Sequence, residues 1–305
     1  MGSSSRLFRL VVALAALACP GTGAALAQSP CGPGIPAGLP CLQEPWQTVG
    51  LEHRDRVARL HRLADRRVGF EFFEETISPQ EHGLADFPTE IPILRIVARQ
   101  DVFFDSGRDV IRAEALPLLD IIADSLKREP PDVALFVAGH TDWDGSDEYN
   151  MELGLARADR VASALVRRGV YQAAIYRVSF GEHMPIASNE SRTGKARNRR
   201  VEFLFGARTE AVTQYFVRQK VDFCPEHRRD PFGSCKIGVV TEAVKVSVSI
   251  EDAAEISRLD SEVKSLTLRS DLDQSEIVTR RQEIELQRDK IPVTLSTKKI
   301  IVVLD

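Results

Sequence analysis

An α/β layered domain, with helices packed on a sheet, is the fold class this sequence predicts for its central stretch. Two observations carry that prediction. Runs of β-forming residues alternate with segments of helical periodicity, and short Gly-, Asp- and Asn-containing motifs close or open those runs. In chain order, residues 93–104 form a β-rich run. Residues 112–128 are helical, with Ala115, Leu119, Ile122 and Leu126 on one face and Pro117 early enough to be tolerated. Residues 133–138 are an apolar second strand, and residues 149–168 a second helix carrying Leu153, Ala156, Val161, Ala164 and Leu165. A third strand spans 175–180, a short helical turn 193–197, and a fourth strand 200–205.

The flanks are read separately. Residues 28–48 are rich in Pro and Gly and read as a linker or stapled loop. From residue 51 to 68, Leu51, Val57, Leu60, Ala64 and Val68 fall near helical spacing, which predicts one amphipathic helix. Residues 75–91 read as irregular. Beyond residue 207, the alternation of Val244, Val246, Val248 and Ile250 with polar residues predicts a strand. Ile256, Leu259, Val263 and Leu266 then keep a heptad-like seam that fails at Ser270 and Asp273 and partly resumes at Ile277 and Ile284. Two heptads are too few for a coiled coil, so a helix over 251–290 lying on its own domain is favoured over a partner-recruiting one. Residues 300–304 are a last strand-like run. The expected organisation is a signal peptide over 1–27, linker and helix over 28–91, the α/β domain over 92–207, and a C-terminal extension over 208–305.

Composition bounds the function. The chain has 305 residues, 43% of them hydrophobic and 28% charged, with a formal net charge of −4. That balance argues against general nucleic-acid binding, which brings a basic excess. Arg6 and Arg9 precede a short apolar run at 10–18, and Ala25-Leu26-Ala27 supplies an A-x-A site, so export with cleavage before Gln28 is expected. Lipidation of Cys19 is the rival, although Ala16-Leu17-Ala18-Cys19 only half fits a lipobox. No later segment is apolar for long enough to be a membrane helix. In an exported chain, Cys31, Cys41, Cys224 and Cys235 suggest disulfides. Three pairings are possible; local ones, Cys31–Cys41 and Cys224–Cys235, are favoured because each pair brackets a Pro/Gly-containing loop. The long gap between the pairs argues against zinc.

Three motifs carry the chemistry. Gly139-His140-Thr141-Asp142 closes the second strand. Glu148-Tyr149-Asn150, with Leu153-Gly154 and Arg157-Ala158, opens the following helix, and Asn198-Arg199-Arg200-Val201-Glu202 leads into the last strand of the domain. Together they set a carboxylate and a guanidinium at the rim of a sheet, the elements of a receptor for a zwitterion. In this order the motifs, with Val102-Phe103-Phe104-Asp105-Ser106, Gly181 and Pro185, resemble the OmpA C-terminal-like domain, particularly its peptidoglycan-associated lipoprotein branch. The resemblance covers about a third of the chain.

It implies a βαβαβ-type two-layer α+β sandwich, with helices packed on a mixed sheet. It also implies non-covalent binding of peptidoglycan through the diaminopimelate of its stem peptide. Diaminopimelate ends in an ammonium and a carboxylate on one carbon. By the resemblance Asp142 takes the ammonium, and Arg157, fifteen residues later, takes the carboxylate by a two-point contact that Lys cannot copy. Phe104 and Asp105 would form one wall, with Asn198 and Arg199 supporting another. Without the family match, Asp142 reads as a loop cap and Arg157 as a structural ion pair. His140 reads as a loop-packing residue rather than a metal ligand, because no other of the six histidines lies near it at ligand spacing. Two departures stand out: Lys195 replaces a usual Arg, and Trp143 follows Asp142 where the family often has a small or polar residue.

The expected function is therefore non-enzymatic: a periplasmic module of a Gram-negative-type envelope that tethers another structure to the cell wall, without cofactor or metal. The alternative is an interaction protein whose 251–290 helix recruits an envelope partner or self-associates. A peptidoglycan hydrolase is disfavoured, since no Ser/His/Asp order or Cys–His pair stands out.

Overall fold

The computed structural model describes residues 45–63, 69–79, 87–130, 133–171, 173–223, 238–247, 249–292 and 294–303. The expectations for the signal sequence, its cleavage before Gln28, Cys19 lipidation and residues 28–44 lie outside this set. So do all four cysteines. The disulfide expectation is corrected: no disulfide bond is present among the described residues. A loop-bracketing position does not by itself bring two Cα atoms to the 4.4–6.8 Å that a disulfide requires.

A seven-stranded mixed sheet organises the described residues from 45 onward. Its strands are β1 (Phe70–Ile77), β2 (Ile91–Arg99), β3 (Ala134–His140), β4 (Ala174–Gly181), β5 (Arg200–Gly206), β6 (Gly238–Ser247) and β7 (Thr294–Val303). They lie in the order β1-β2-β5-β3-β4-β6-β7. Only β3 and β4 pair in parallel; every other neighbouring pair is antiparallel. Every residue of β3 and β5 is buried, as central strands covered on both faces require.

One face of the sheet packs against α1 (Pro45–Leu60), α3 (Leu116–Leu126) and α4 (Asp147–Val166). Leu60, Leu119, Ile122, Val161 and Leu165 meet Ile96, Leu135, Val137 and Phe203 there. Pro117 stands at the start of α3, where its missing N–H costs nothing. Ser146 caps α4 by accepting from the Tyr149 N–H at 3.2 Å, with Asp147 and Glu148 in the first turn. The opposite face is covered by α6 (Thr209–Phe223), through Val212, Tyr215 and Phe216 against Phe136, Val178, Phe180 and Leu204.

The mixed α/β architecture agrees with the sequence prediction, and the differences are local. The run at 93–104 is a strand only to Arg99; a helical turn, α2 (Gln100–Phe103), follows, and Phe104 forms an isolated bridge with Ile111. Strand β1 occupies part of the stretch read as irregular. Its Phe-Glu-Phe-Phe-Glu-Glu order breaks simple alternation, because Phe73 faces outward under the Arg95 guanidinium. Helix α6 was not anticipated. The predicted 244–250 strand begins earlier, as β6, and Ile250 opens a helix instead.

The single 251–290 helix is two: α7 (Ile250–Leu268) and α8 (Gln274–Arg288). The break falls where the seam fails, and Asp273 caps α8 in a reciprocal box with Glu276. The seam residues Ile256, Leu259, Val263 and Leu266 are buried with Ile284 and Ile291. No described helix is long and apolar enough to cross a membrane.

Candidate functional site

Strand register gathers the motifs at one end of the sheet. His140 pairs with Arg200 across β3 and β5, so Asp142, two residues past β3, lies beside the segment just before β5. Arg99 at the end of β2 also pairs with Arg200, which brings Phe104 and Asp105 to the same rim. Two glycines set the height of α4 above the sheet. A Cβ on Gly139 would stand 2.0 Å from the Gly154 carbonyl oxygen, and one on Gly154 would stand 2.3 Å from Ser179 Oγ. The helix therefore rides on β3 backbone to backbone, and Arg157 follows Gly154 by nearly one turn.

Arg157 is 1% exposed. Its Nε donates to the Arg108 carbonyl at 3.1 Å, and its guanidinium carbon stands 5.7 Å from the centre of the Phe104 ring. Nη1 is buried with no hydrogen-bond partner. Burial, with the Arg199 charge adding to it, pushes the Arg157 pKa down to about 10, against a smaller opposing influence from Asp142. The group remains a cation at neutral pH, with no ion pair to it among the described residues.

Asp142 is also buried. Its Oδ2 accepts from Arg199 Nη1 at 2.5 Å, and its Oδ1 accepts from the Asp144 N–H at 3.1 Å. Arg199, foreseen only as part of a wall, is thus the direct partner of the carboxylate. Nearby, the buried Thr141 Oγ1 and Gln100 Oε1 are without hydrogen-bond partners. The Asp142 carboxylate is paired with Arg199, and its charge also reaches the buried Arg157 guanidinium. With the open donor and acceptor capacity nearby, such a rim can take a ligand that brings a carboxylate together with an ammonium.

The remaining predicted residues divide. Phe104 lies against the Arg157 guanidinium. Asn198 is turned inward and fully used: its Oδ1 accepts from the Ile186 and Ala187 N–H groups at 2.9 Å, and its Nδ2 donates to the Ala187 carbonyl and Asn189 Oδ1 at 2.8 Å. It builds the loop before β5 rather than facing a ligand. Asp105 is exposed, 3.6 Å from Arg112, on a cleft of about 160 Å³ shared with Gln100, Phe104 and Arg199. A larger cleft of about 570 Å³ lies away from these motifs, between Leu116 and Ala164 on one side and Glu285 and Leu286 on the other.

His140 stacks on Phe180 with ring centres 5.0 Å apart, inside a cluster of Arg95, Arg200 and Glu202. Among the described residues no group of three or more His, Cys, Asp or Glu side chains could hold a metal ion. Sequence reasoning missed the parts played by Gln100, Thr141, Tyr149 and the Arg108 carbonyl. Tyr149 and Thr141 lie inside the three motifs; a backbone carbonyl leaves no signal in the sequence.

A profile of the OmpA family matches residues 103–199, the stretch that carries this rim. Among curated relatives, outer membrane porin F of Pseudomonas fluorescens is 40% identical over 36% of this chain and 34% of its own length. The probable lipoprotein YiaD of Escherichia coli is 43% identical over 33% of this chain and 46% of its own. The chain thus spans less than half the length of either. The peptidoglycan-associated lipoprotein of Legionella pneumophila is 40% identical over 41% of this chain, and here the match takes in 71% of the relative. A relative 40% identical and matched over 71% of its own length means that the chain belongs to the OmpA family.

Proposed function

We propose that the protein is a non-catalytic peptidoglycan-binding anchor, and that its ligand is the diaminopimelate of the stem peptide. It is periplasmic, in a Gram-negative-type envelope near the outer membrane and cell wall. The single observation that carries the ligand reading is the Arg157 guanidinium, buried beside Asp142 with Nη1 unpartnered. A ligand carboxylate supplies the missing anion there, while the ammonium on the same carbon reaches Asp142. Arg199, paired with Asp142, yields part of that contact to the ligand ammonium. Residues 92–207 form the binding domain in this reading, and the flanks carry whatever envelope component is tethered.

Binding to purified sacculi tests it. Asp142→Ala and Arg157→Ala each remove a charge whose ligand partner would be left desolvated, so binding falls by about a hundredfold, or roughly 3 kcal/mol. Arg157→Met keeps the side-chain volume without the unpaired charge; it melts no lower than the parent protein and still fails to bind. Full sacculus binding by these variants, folded, would refute the assignment.

A further inference from the structure

Two exposed aromatic side chains lie on the loop and first helical turn between Asp142 and Arg157, and about half of each is open to solvent. Trp143 directly follows Asp142 and is 48% exposed; Tyr149, on the first turn of α4, is also 48% exposed. Tyr149 packs over Gly145, where a Cβ would stand 3.0 Å from its ring. On the other side Lys195 Nζ stands 5.9 Å from the centre of the Trp143 ring and donates to Asp144 Oδ1 at 2.6 Å. The indole is thus held by a cation on one side and remains open to solvent. A surface pair such as Lys195–Asp144 adds little to stability, so its consequence is the placement of a donor and an acceptor beside the ring.

We propose that Trp143, with Lys195 and Asp144 at its edge, forms a subsite for a pyranose ring of the glycan strand. This rests on the peptide-binding reading above. A pyranose presents a face of C–H groups that stacks on an aromatic ring, and a rim of hydroxyl and acetamido groups that hydrogen-bonds to charged neighbours. Reach is adequate. A stem of three residues spans about 10 Å, and the Trp143 Cα is about 3.8 Å from that of Asp142, so one ligand can touch both places. The ligand class is therefore a disaccharide-peptide rather than a peptide alone.

Two probes separate the levels by titration calorimetry: the tripeptide L-Ala–γ-D-Glu–meso-diaminopimelate, and the same tripeptide on an N-acetylglucosamine–N-acetylmuramic acid disaccharide. The parent protein binds the disaccharide-peptide about tenfold more tightly than the tripeptide, the scale of one good aromatic contact. Trp143→Ala removes that difference and leaves tripeptide affinity unchanged, while Trp143→Phe keeps most of it. Asp142→Ala loses both probes. Equal affinity of the parent for the two probes overturns the glycan subsite and leaves the peptide reading standing. An equal loss of both probes in Trp143→Ala also overturns it, by marking a role in shaping the Asp142 loop. Failure of the parent to bind either probe overturns both readings together.

Discussion

Arg157 and His140 are both buried ionisable groups at the rim, and they respond to burial in different ways. Arg157 stays charged and unpaired; His140 gives up its charge. Burial holds the His140 pKa well below the usual histidine value, with Arg200 adding to the effect and Glu202 opposing it. Glu202, clamped by Arg95 at 2.7 and 2.8 Å and by Arg200 at 2.6 Å, is held well below the usual carboxylate range despite its burial.

The pH consequence has a definite sign. An unfolded His140 takes up a proton near pH 6.5 and the folded one does not, so stability falls as pH drops from about 7 toward 5. The limiting slope for one such group is about 1.4 kcal/mol per pH unit. His140→Phe keeps the stack on Phe180 and is expected to flatten urea-unfolding stability across that window. His53, whose pKa is also lowered chiefly by burial, leaves a residual slope of the same sign. An unchanged slope would mean that His140 is protonated in the fold.

Among the elements, α4 and β3 decide the site, and the contact between them is made by glycines. Gly139 and Gly154 allow an approach closer than any Cβ permits, and this height places Arg157 over Phe104. Gly139→Ala is expected to destabilise the protein by about 3 kcal/mol or more, the upper end for overpacking, because the obstructing atom is backbone and cannot rotate away. Urea unfolding measures the loss. Sacculus binding falls further than the unfolded fraction explains, since the folded variant carries Arg157 displaced. Asn198 does comparable work for the loop before β5, although its place in the third motif reads as part of a ligand wall.

For the whole molecule, the C-terminal hairpin of α7 and α8 is held to the domain by a charge network. Arg168, 1% exposed, donates to Asp120 Oδ1 at 2.8 Å and to Glu285 at 3.0 and 2.8 Å. Arg281 reaches Asp120 at 2.7 Å, and both Lys127 and Arg288 bond Asp260. The seam residues are buried inside this arrangement, so a partner would have to meet another face of the hairpin. Arg168→Ala is expected to cost about 3 kcal/mol, the low end for breaking a buried pair whose acids keep other partners. Hydrogen exchange in α7 and α8 quickens while β2, β3 and β5 stay protected and sacculus binding persists. Unchanged exchange in the hairpin would show that its apolar seam alone holds it.

Much of the centre was legible from the chain alone. Alternating periodicities set the order of strands and helices from β2 to β5, because helix and strand periods are local properties of residue spacing. The resemblance carried by the three motifs named Asp142 and Arg157, with Arg199 in a supporting wall; without it, residue spacing alone reads Asp142 as a loop cap and Arg157 as a structural ion pair. Strand β1 and helix α6 were not legible. One is an edge strand with an outward Phe; the other carries an apolar stripe of Ala211, Val212, Tyr215 and Phe216 that the sequence reading passed over because it lies beyond the motifs of the domain. The pairing of Arg199 with Asp142, the inward turn of Asn198 and the unpaired state of Arg157 were decided only by the tertiary structure. Each depends on which backbone carbonyls and side chains from distant segments share one buried volume, and residue spacing does not encode that.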